Sequence, residues 1–166
     1  IAGLWLVQEC RRDLARQGTP EFPYRFDLAK AERVFRFAEK LKHYKGQWSG
    51  QFIHLEPWQQ FILGSAVGWV HETTGLRRFR TCFHNVPRKN GKTLIAAVML
   101  LYLTFFDGEG GAEGYCVAQK RDQSKLVFND ARKLVQSSGL KDRITVFTSN
   151  MHRLDTASKI EPLGAD

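Results

Sequence analysis

The fold turns on the stretch Val86-Pro87-Arg88-Lys89-Asn90-Gly91-Lys92-Thr93. Before it, residues 79–86 (Phe-Arg-Thr-Cys-Phe-His-Asn-Val) combine aromatic and β-branched residues at strand length, and Pro87 ends the run, so a strand is expected. After it, residues 91–106 are apolar on almost every side, the pattern of a helix buried against a sheet on one side and other elements on the other. A Gly-Lys-Thr turn between a strand and a helix has the chemistry of a phosphate-binding loop. The amide N–H groups that open a helix point beyond its N-terminus, the helix dipole favours negative charge there, and Gly91 lets a phosphate approach the backbone. Lys92 would then neutralise the β and γ phosphates, and Thr93, the first hydroxyl into the helix, would ligate Mg²⁺. The strict pattern also asks for glycine where Val86 stands, and Gly-Lys-Ser/Thr alone arises by chance in about one chain in ten of this length. The competing reading is a strand-to-helix turn whose cations face water.

The elements on either side of the loop alternate. Residues 107–114 are a glycine-rich turn, 115–118 a short strand, and 121–138 a helix with Leu126, Val127, Ala131, Leu134 and Val135 on one face and Gly139 as its stop. Residues 144–147 and, more weakly, 159–163 are further strand candidates. Strand, helix, strand, helix predicts an α/β fold with a mainly parallel central sheet flanked by helices. Upstream, a short helix could share Leu4, Val7 and Leu14 on one face before a break at Gln17-Gly18-Thr19-Pro20. Asp27 can cap a second helix to about residue 42, with Ala31, Val34, Phe35, Ala38 and Leu41 inward. A loop at 46–50 precedes a third helix opened by Pro57 and carrying Trp58, Phe61, Ile62 and Trp69. The expected organisation is an N-terminal helical segment over residues 1–50 and a P-loop domain over 51–166.

Composition bounds the rest. With 166 residues, 43% of them hydrophobic, the chain suits one domain or a piece of a larger protein and excludes general disorder. Its longest apolar stretch, 93–106, falls short of the roughly 20 residues a spanning helix needs. No basic leader opens the chain, and Ile1 in place of Met points to a trimmed or partial N-terminus. Cys10, Cys82 and Cys116 are too few and too scattered for a disulfide framework or a zinc site, which suggests a reduced, cytosolic chain, and the five histidines lack metal-binding spacing. The formal charge is +8, and between Arg77 and Thr93 six cations (Arg77, Arg78, Arg80, Arg88, Lys89, Lys92) stand without an acid. Such a cluster is a solvated basic face or a contact for a polyanion.

The loop 86–93 resembles the deviant Walker A of tailed-bacteriophage terminase large subunits of the HK97-like kind, which lacks the leading glycine and carries an Arg-Lys-x-Gly-Lys-Ser/Thr core. Phe37-Ala-Glu-Lys-Leu-Lys-His43 and Leu55-Glu-Pro-Trp-Gln-Gln-Phe61 are similar to the family's approach to its adenine-site Pro-Trp-Gln. Ala118-Gln-Lys-Arg-Asp-Gln-Ser-Lys125 resembles its next ATPase motif. Four segments in family order over about residues 35–130 are more specific than any one of them. The resemblance implies a P-loop NTPase binding ATP and Mg²⁺ through Trp58, Gln59, Arg88, Lys89, Asn90, Gly91, Lys92 and Thr93. Gln59 would read adenine with Trp58 packed nearby, Arg88 would sense or stabilise the γ-phosphate alongside the catalytic Lys92, and Thr93 would be the metal ligand.

The same resemblance implies an ATPase that moves double-stranded DNA into a procapsid, with a portal protein, a small terminase subunit and a homo-oligomeric ring as partners. Its place would be the cytoplasm of an infected or lysogenic bacterium, without membrane attachment. The intact protein would also be an endonuclease. An acidic Walker B strand is not found in the 166 residues, because Leu103-Thr-Phe-Phe-Asp107 ends the helix that Thr93 begins; nor is a nuclease domain. The expectation is a stretch truncated before Walker B and inactive by itself. Two rival readings are a helicase-type P-loop ATPase and a non-enzymatic basic module that binds nucleic acid.

Overall fold

The computed structural model describes residues 2–164, with the backbone alone described for residues 2–7 and 121. Leu4 and Val7 therefore lie outside the described side chains. The chain divides into two compact units, residues 1–35 with 56–83 and residues 36–55 with 84–166, so each unit is assembled from two separate stretches.

The first unit contains α1 (Ala2–Arg16), β1 (Tyr24–Phe26), the start of α2 (Leu28–Glu39), α3 (Pro57–Gly68) and β2 (Trp69–His71). Asp27 caps α2 as expected, its Oδ1 accepting the Lys30 N–H at 3.1 Å. Pro57 opens α3 within a capping box. The Gln59 side-chain oxygen accepts the Glu56 N–H at 2.9 Å, while the Glu56 side chain takes the Gln59 N–H. Strands β1 and β2 pair antiparallel, Phe26 opposite Trp69. Trp69, expected on the third helix, lies instead on β2, where Phe22 and Phe26 meet its ring edge-to-face at 5.8 and 5.5 Å. The helix ends at Gly68, and β-strand pairing claims the next residue. Ala31, Val34, Leu63 and Val67 complete this core.

The second unit is built on a four-stranded sheet ordered β3-β6-β5-β4, from β3 (Glu113–Ala118), β4 (Thr145–Val146), β5 (Met151–Arg153) and β6 (Ser158–Gly164). The sheet is parallel where a helical crossover intervenes, between β3 and β6, and antiparallel where connections are short, between β6, β5 and β4. Helices α4 (Lys92–Phe105) and α5 (Arg121–Ser137) cover the face that carries Gly114, Cys116 and Ile160, leaving Tyr115 and Val117 exposed on the other. Ile95, Val98, Leu101, Tyr102 and Phe105 of α4 are buried, as its all-round hydrophobicity requires. At its end the Arg153 guanidinium donates to the Phe105 carbonyl and pairs with Asp155 at 2.7 Å, which satisfies an orphan carbonyl of the helix terminus.

Two further expectations change. Residues 79–86 form no strand and join neither sheet, and Phe83 is 89% exposed. Their β propensity reports suitability for a pleated, half-buried surface, and a strand needs a neighbour to supply ladder hydrogen bonds and packing. On α5, Leu126 is 60% exposed, whereas Ser124, Phe128, Ala131, Leu134 and Val135 are buried. The buried stripe follows the i, i+4, i+7 rotation through Phe128, which places Leu126 outside it.

Candidate nucleotide-binding site

The loop that precedes α4 is shaped by two residues in the left-handed region. Gly91, which caps the helix, has φ 68° and ψ 18°, a conformation that costs glycine nothing. Lys89 sits at φ 69° without that freedom. A non-glycine residue held there costs about 1–2 kcal/mol, and such strain concentrates where a loop has a job besides connecting elements. Between them Asn90 steadies the turn, its amide reaching the Pro87 and Arg88 carbonyls at 3.4 and 3.5 Å.

The helix begins immediately after this turn. The Ile95 N–H donates to the Gly91 carbonyl at 3.0 Å, so the N–H groups of Lys92, Thr93 and Leu94 stand in the first turn without intrahelical acceptors. Three donors, a dipole end and a glycine without a Cβ are the features that favour anionic oxygens. Lys92 is half-buried, and its ammonium donates to the Val86 carbonyl at 2.7 Å. That bond folds the side chain back across the loop and leaves two of its three N–H donors for another acceptor. Sequence reasoning had no signal for this contact, because the residue type at position 86 suggests nothing about its carbonyl.

Arg88, Lys89 and Asn90 are exposed, whereas Gly91, Lys92 and Thr93 are half-buried. The structure thus brings residues 88–93 together. Trp58 and Gln59 lie on α3 in the other unit. Trp58 is 37% exposed; Gln59 is buried, with its side-chain oxygen committed to the helix cap.

The basic cluster does not act as one surface. Arg78 donates to Asp13 at 2.5 Å and places its guanidinium 4.6 Å from the ring centre of Phe22, 4.8 Å from Phe79, 5.5 Å from Tyr24 and 5.6 Å from Trp69. This cation is a packing residue of the first unit. Burial pushes the Asp13 carboxyl up, but hydrogen bonds from Arg78 and Arg16 outweigh it and hold the group below its ordinary value of 3.8. Arg80, Arg88 and Lys89 remain exposed to solvent. Burial moves the Cys116 thiol up to about 11, so that cysteine is inert at neutral pH.

Among the described residues, no three His, Cys, Asp or Glu side chains are grouped to hold a metal ion, and no helix is long and apolar enough to cross a membrane. No curated protein sequence matches the chain. Its fold is similar to that of the HK97 bacteriophage large terminase, with a TM-score of 0.67 and 23% sequence identity over 82% of this chain and 28% of that one. The chain therefore spans about 28% of the length of that terminase. A family model described as the terminase large subunit ATPase domain matches residues 57–161. That match covers well over half of the 166 residues and includes the whole loop and the segment 118–125, and the chain belongs to the family of terminase large subunit ATPase domains.

Proposed function

We propose that residues 88–93 bind the phosphates of ATP, and that the chain is the nucleotide-binding part of a bacteriophage DNA-packaging motor. The observation that carries this reading is the loop geometry. Lys92, its ammonium bonded to the Val86 carbonyl, follows a turn held by two left-handed residues and opens the α4 turn whose first N–H groups lack intrahelical acceptors.

The residues divide the work by chemistry. The first-turn amides and the two remaining donors of Lys92 bind β- and γ-phosphate oxygens, and the exposed guanidinium of Arg88 meets charge that develops on the γ-phosphate during transfer. Thr93 would hold Mg²⁺ through its hydroxyl, and a single hydroxyl at the helix start suits this metal because Mg²⁺ sites at nucleotides need few protein ligands. Bound there, Mg²⁺ would neutralise charge on the phosphate oxygens. Trp58 and Gln59, which the family resemblance gives to the base, belong to the first unit, where the Gln59 side-chain oxygen is committed to the helix cap.

In this reading the intact protein couples ATP hydrolysis to movement of double-stranded DNA into a procapsid. It works as a homo-oligomeric ring with a portal protein and a small terminase subunit, in the bacterial cytoplasm. Hydrolysis needs a carboxylate near the metal, and Asp107 stands beyond the far end of α4, about 20 Å from Thr93 at 1.5 Å per residue. The 166 residues alone should bind ATP without turning it over at a useful rate.

Titration of a fluorescent ATP analogue against wild type and Lys92→Ala tests the proposal. Losing a desolvated cation–phosphate pair should cost about 2–5 kcal/mol of binding. Equal affinities would remove Lys92 from the site and the proposal with it.

A further inference from the structure

The second unit carries another surface that the nucleotide site does not use. Residues 41–53 fold back on themselves: the Gly50 N–H donates to the His43 carbonyl at 2.7 Å, the His43 N–H to the Gln51 carbonyl at 2.9 Å, and the Ile53 N–H to the Leu41 carbonyl at 2.9 Å. The tip is a 3₁₀ turn, Gly46–Trp48, which Gly46 opens at φ 72° and Gly50 follows at φ 86°. This hairpin is fixed to the end of α5 by two reciprocal bonds. The Lys42 N–H donates to Ser138 Oγ at 2.7 Å, and the Ser137 hydroxyl donates to the Lys42 carbonyl at 3.0 Å.

Its side chains alternate cation and ring. No acid occurs between Glu39 and Glu56, while Lys40, Lys42 and Lys45 do, and Lys133 of α5 joins them. The ammonium of Lys42 lies 5.1 Å from the centre of the Phe52 ring, and those of Lys45 and Lys133 lie 5.0 and 5.2 Å from Tyr44. Asp130 faces this group, accepting a hydrogen bond from the Tyr44 hydroxyl and pairing with Lys45 at 3.5 Å, so it fixes the ring and offsets one charge. Tyr44, Lys45, Lys133, Gln136 and Ser137 line a hollow of about 400 Å³. On the same hairpin Trp48 and Phe52 leave 54% and 56% of their surface in water.

We propose that this face, the 41–53 hairpin with the last turns of α5, binds single-stranded nucleic acid. The lysines contact backbone phosphates while Trp48 and Phe52 stack on unpaired bases. Planar exposed rings beside paired cations match a strand that presents base faces and phosphates in turn. A duplex hides its base faces, and an acidic peptide has none. The hairpin is already held in place by backbone bonds, so little ordering opposes binding.

Fluorescence anisotropy of a labelled oligothymidine, with the 166-residue chain over a range of salt, tests the assignment. Trp48→Ala should weaken binding at least about fivefold, since one stacked base contributes on the order of 1–3 kcal/mol. The combined Lys45→Ala and Lys133→Ala variant should lower the salt slope by about 1.4, at about 0.7 per phosphate contact on a single strand. Neither change should alter affinity for an ATP analogue, which separates this surface from the nucleotide site. Trp48 is exposed, so its variant should keep the wild-type circular dichroism and melting. The proposal is overturned if oligothymidine does not bind, if a matched duplex binds as tightly and Trp48→Ala changes neither, or if poly-glutamate binds with the same dependence on Trp48.

Discussion

Replacing Arg78 by Met removes the guanidinium and keeps an apolar stem of similar length. In the folded chain Arg78 gives Asp13 a hydrogen bond of 2.5 Å, with side-chain exposures of 20% and 11%. A hydrogen bond to a charged partner in such a setting contributes about 1.5–3 kcal/mol. The four rings around the guanidinium add cation–π attraction, about 0.5–1 kcal/mol for a good contact and less than additive for four. Asp13 keeps Arg16, whose Nη2 and Nε donate to it at 2.8 and 3.2 Å, so the carboxylate is not stranded. The expected cost of Arg78→Met at neutral pH is therefore about 2–4 kcal/mol. The cost should also depend on acid. The Asp13 pKa is depressed in the folded state, so the pair stabilises fully above the unfolded value of about 3.8 and is lost as pH falls through the folded one. Urea titrations followed by tryptophan fluorescence, for wild type, Arg78→Met, Asp13→Asn and the double variant, give the coupling at pH 7 and near pH 2.5. A coupling below about 0.5 kcal/mol at neutral pH, or one unchanged in acid, would show that Arg78 acts through packing and not through its charge.

Other outcomes test separate parts of the structure. Lys89→Gly should stabilise the chain by up to about 1 kcal/mol in the same titration, because relief of the left-handed strain exceeds the entropy that glycine adds to the unfolded state. A destabilised variant would mean that the Lys89 side chain makes contacts outweighing the strain. Gly114→Ala should cost about 1–3 kcal/mol, since the new Cβ would press on Thr104 Oγ1 and come within 3.0 Å of Leu100 Cδ1 and 3.1 Å of Ile160 Cγ1, forcing α4 off the sheet. A melting temperature equal to wild type would show that α4 can move away freely. Gln59→Ala should lower stability by about 1 kcal/mol through the lost capping bond. If Gln59 also reads the base, competition between ATP and GTP should lose its preference as well; a change in stability alone would confine Gln59 to the helix cap.

What could be read in the residues follows the range of the physics. Asp27, Pro57 and Gly91 announce helix starts because capping is settled within four residues, and the all-round apolar character of α4 announces its burial. The run at 79–86 misled for the opposite reason. Strand formation is decided by a partner distant in sequence, and the propensities of Phe79, Thr81, Phe83 and Val86 are silent about whether one pairs with them. Arg78 misled in a subtler way: its neighbours in sequence are cations, whereas its neighbours in space are Asp13 and four aromatic rings, so a charge count along the chain overstated the basic surface. Of the hairpin of residues 41–53, the sequence reading covers only a loop at 46–50 and a helix reaching about residue 42, although the interleaved lysines and aromatics are in plain view. The signal there was composition within a short window and not a named motif.

Val86 explains how the loop departs from the strict pattern and keeps its shape. A glycine is demanded where a side chain would obstruct or where the backbone must turn left-handed. In this loop those demands fall on Gly91 and, at a cost in strain, on Lys89. At position 86 the structural contribution is a carbonyl oxygen, 2.7 Å from the Lys92 ammonium, and every residue type has one. The side chain of Val86 is then free to be chosen for other reasons. The same bond holds Lys92 across the mouth of the loop before any ligand arrives, which lowers the ordering cost of recruiting its charge. A substitution at 86 that preserves the backbone path should therefore be tolerated, whereas proline at 89 should not, since it fixes φ near −65°, and alanine at 91 should cost about 1–2 kcal/mol, the left-handed penalty that Lys89 already carries.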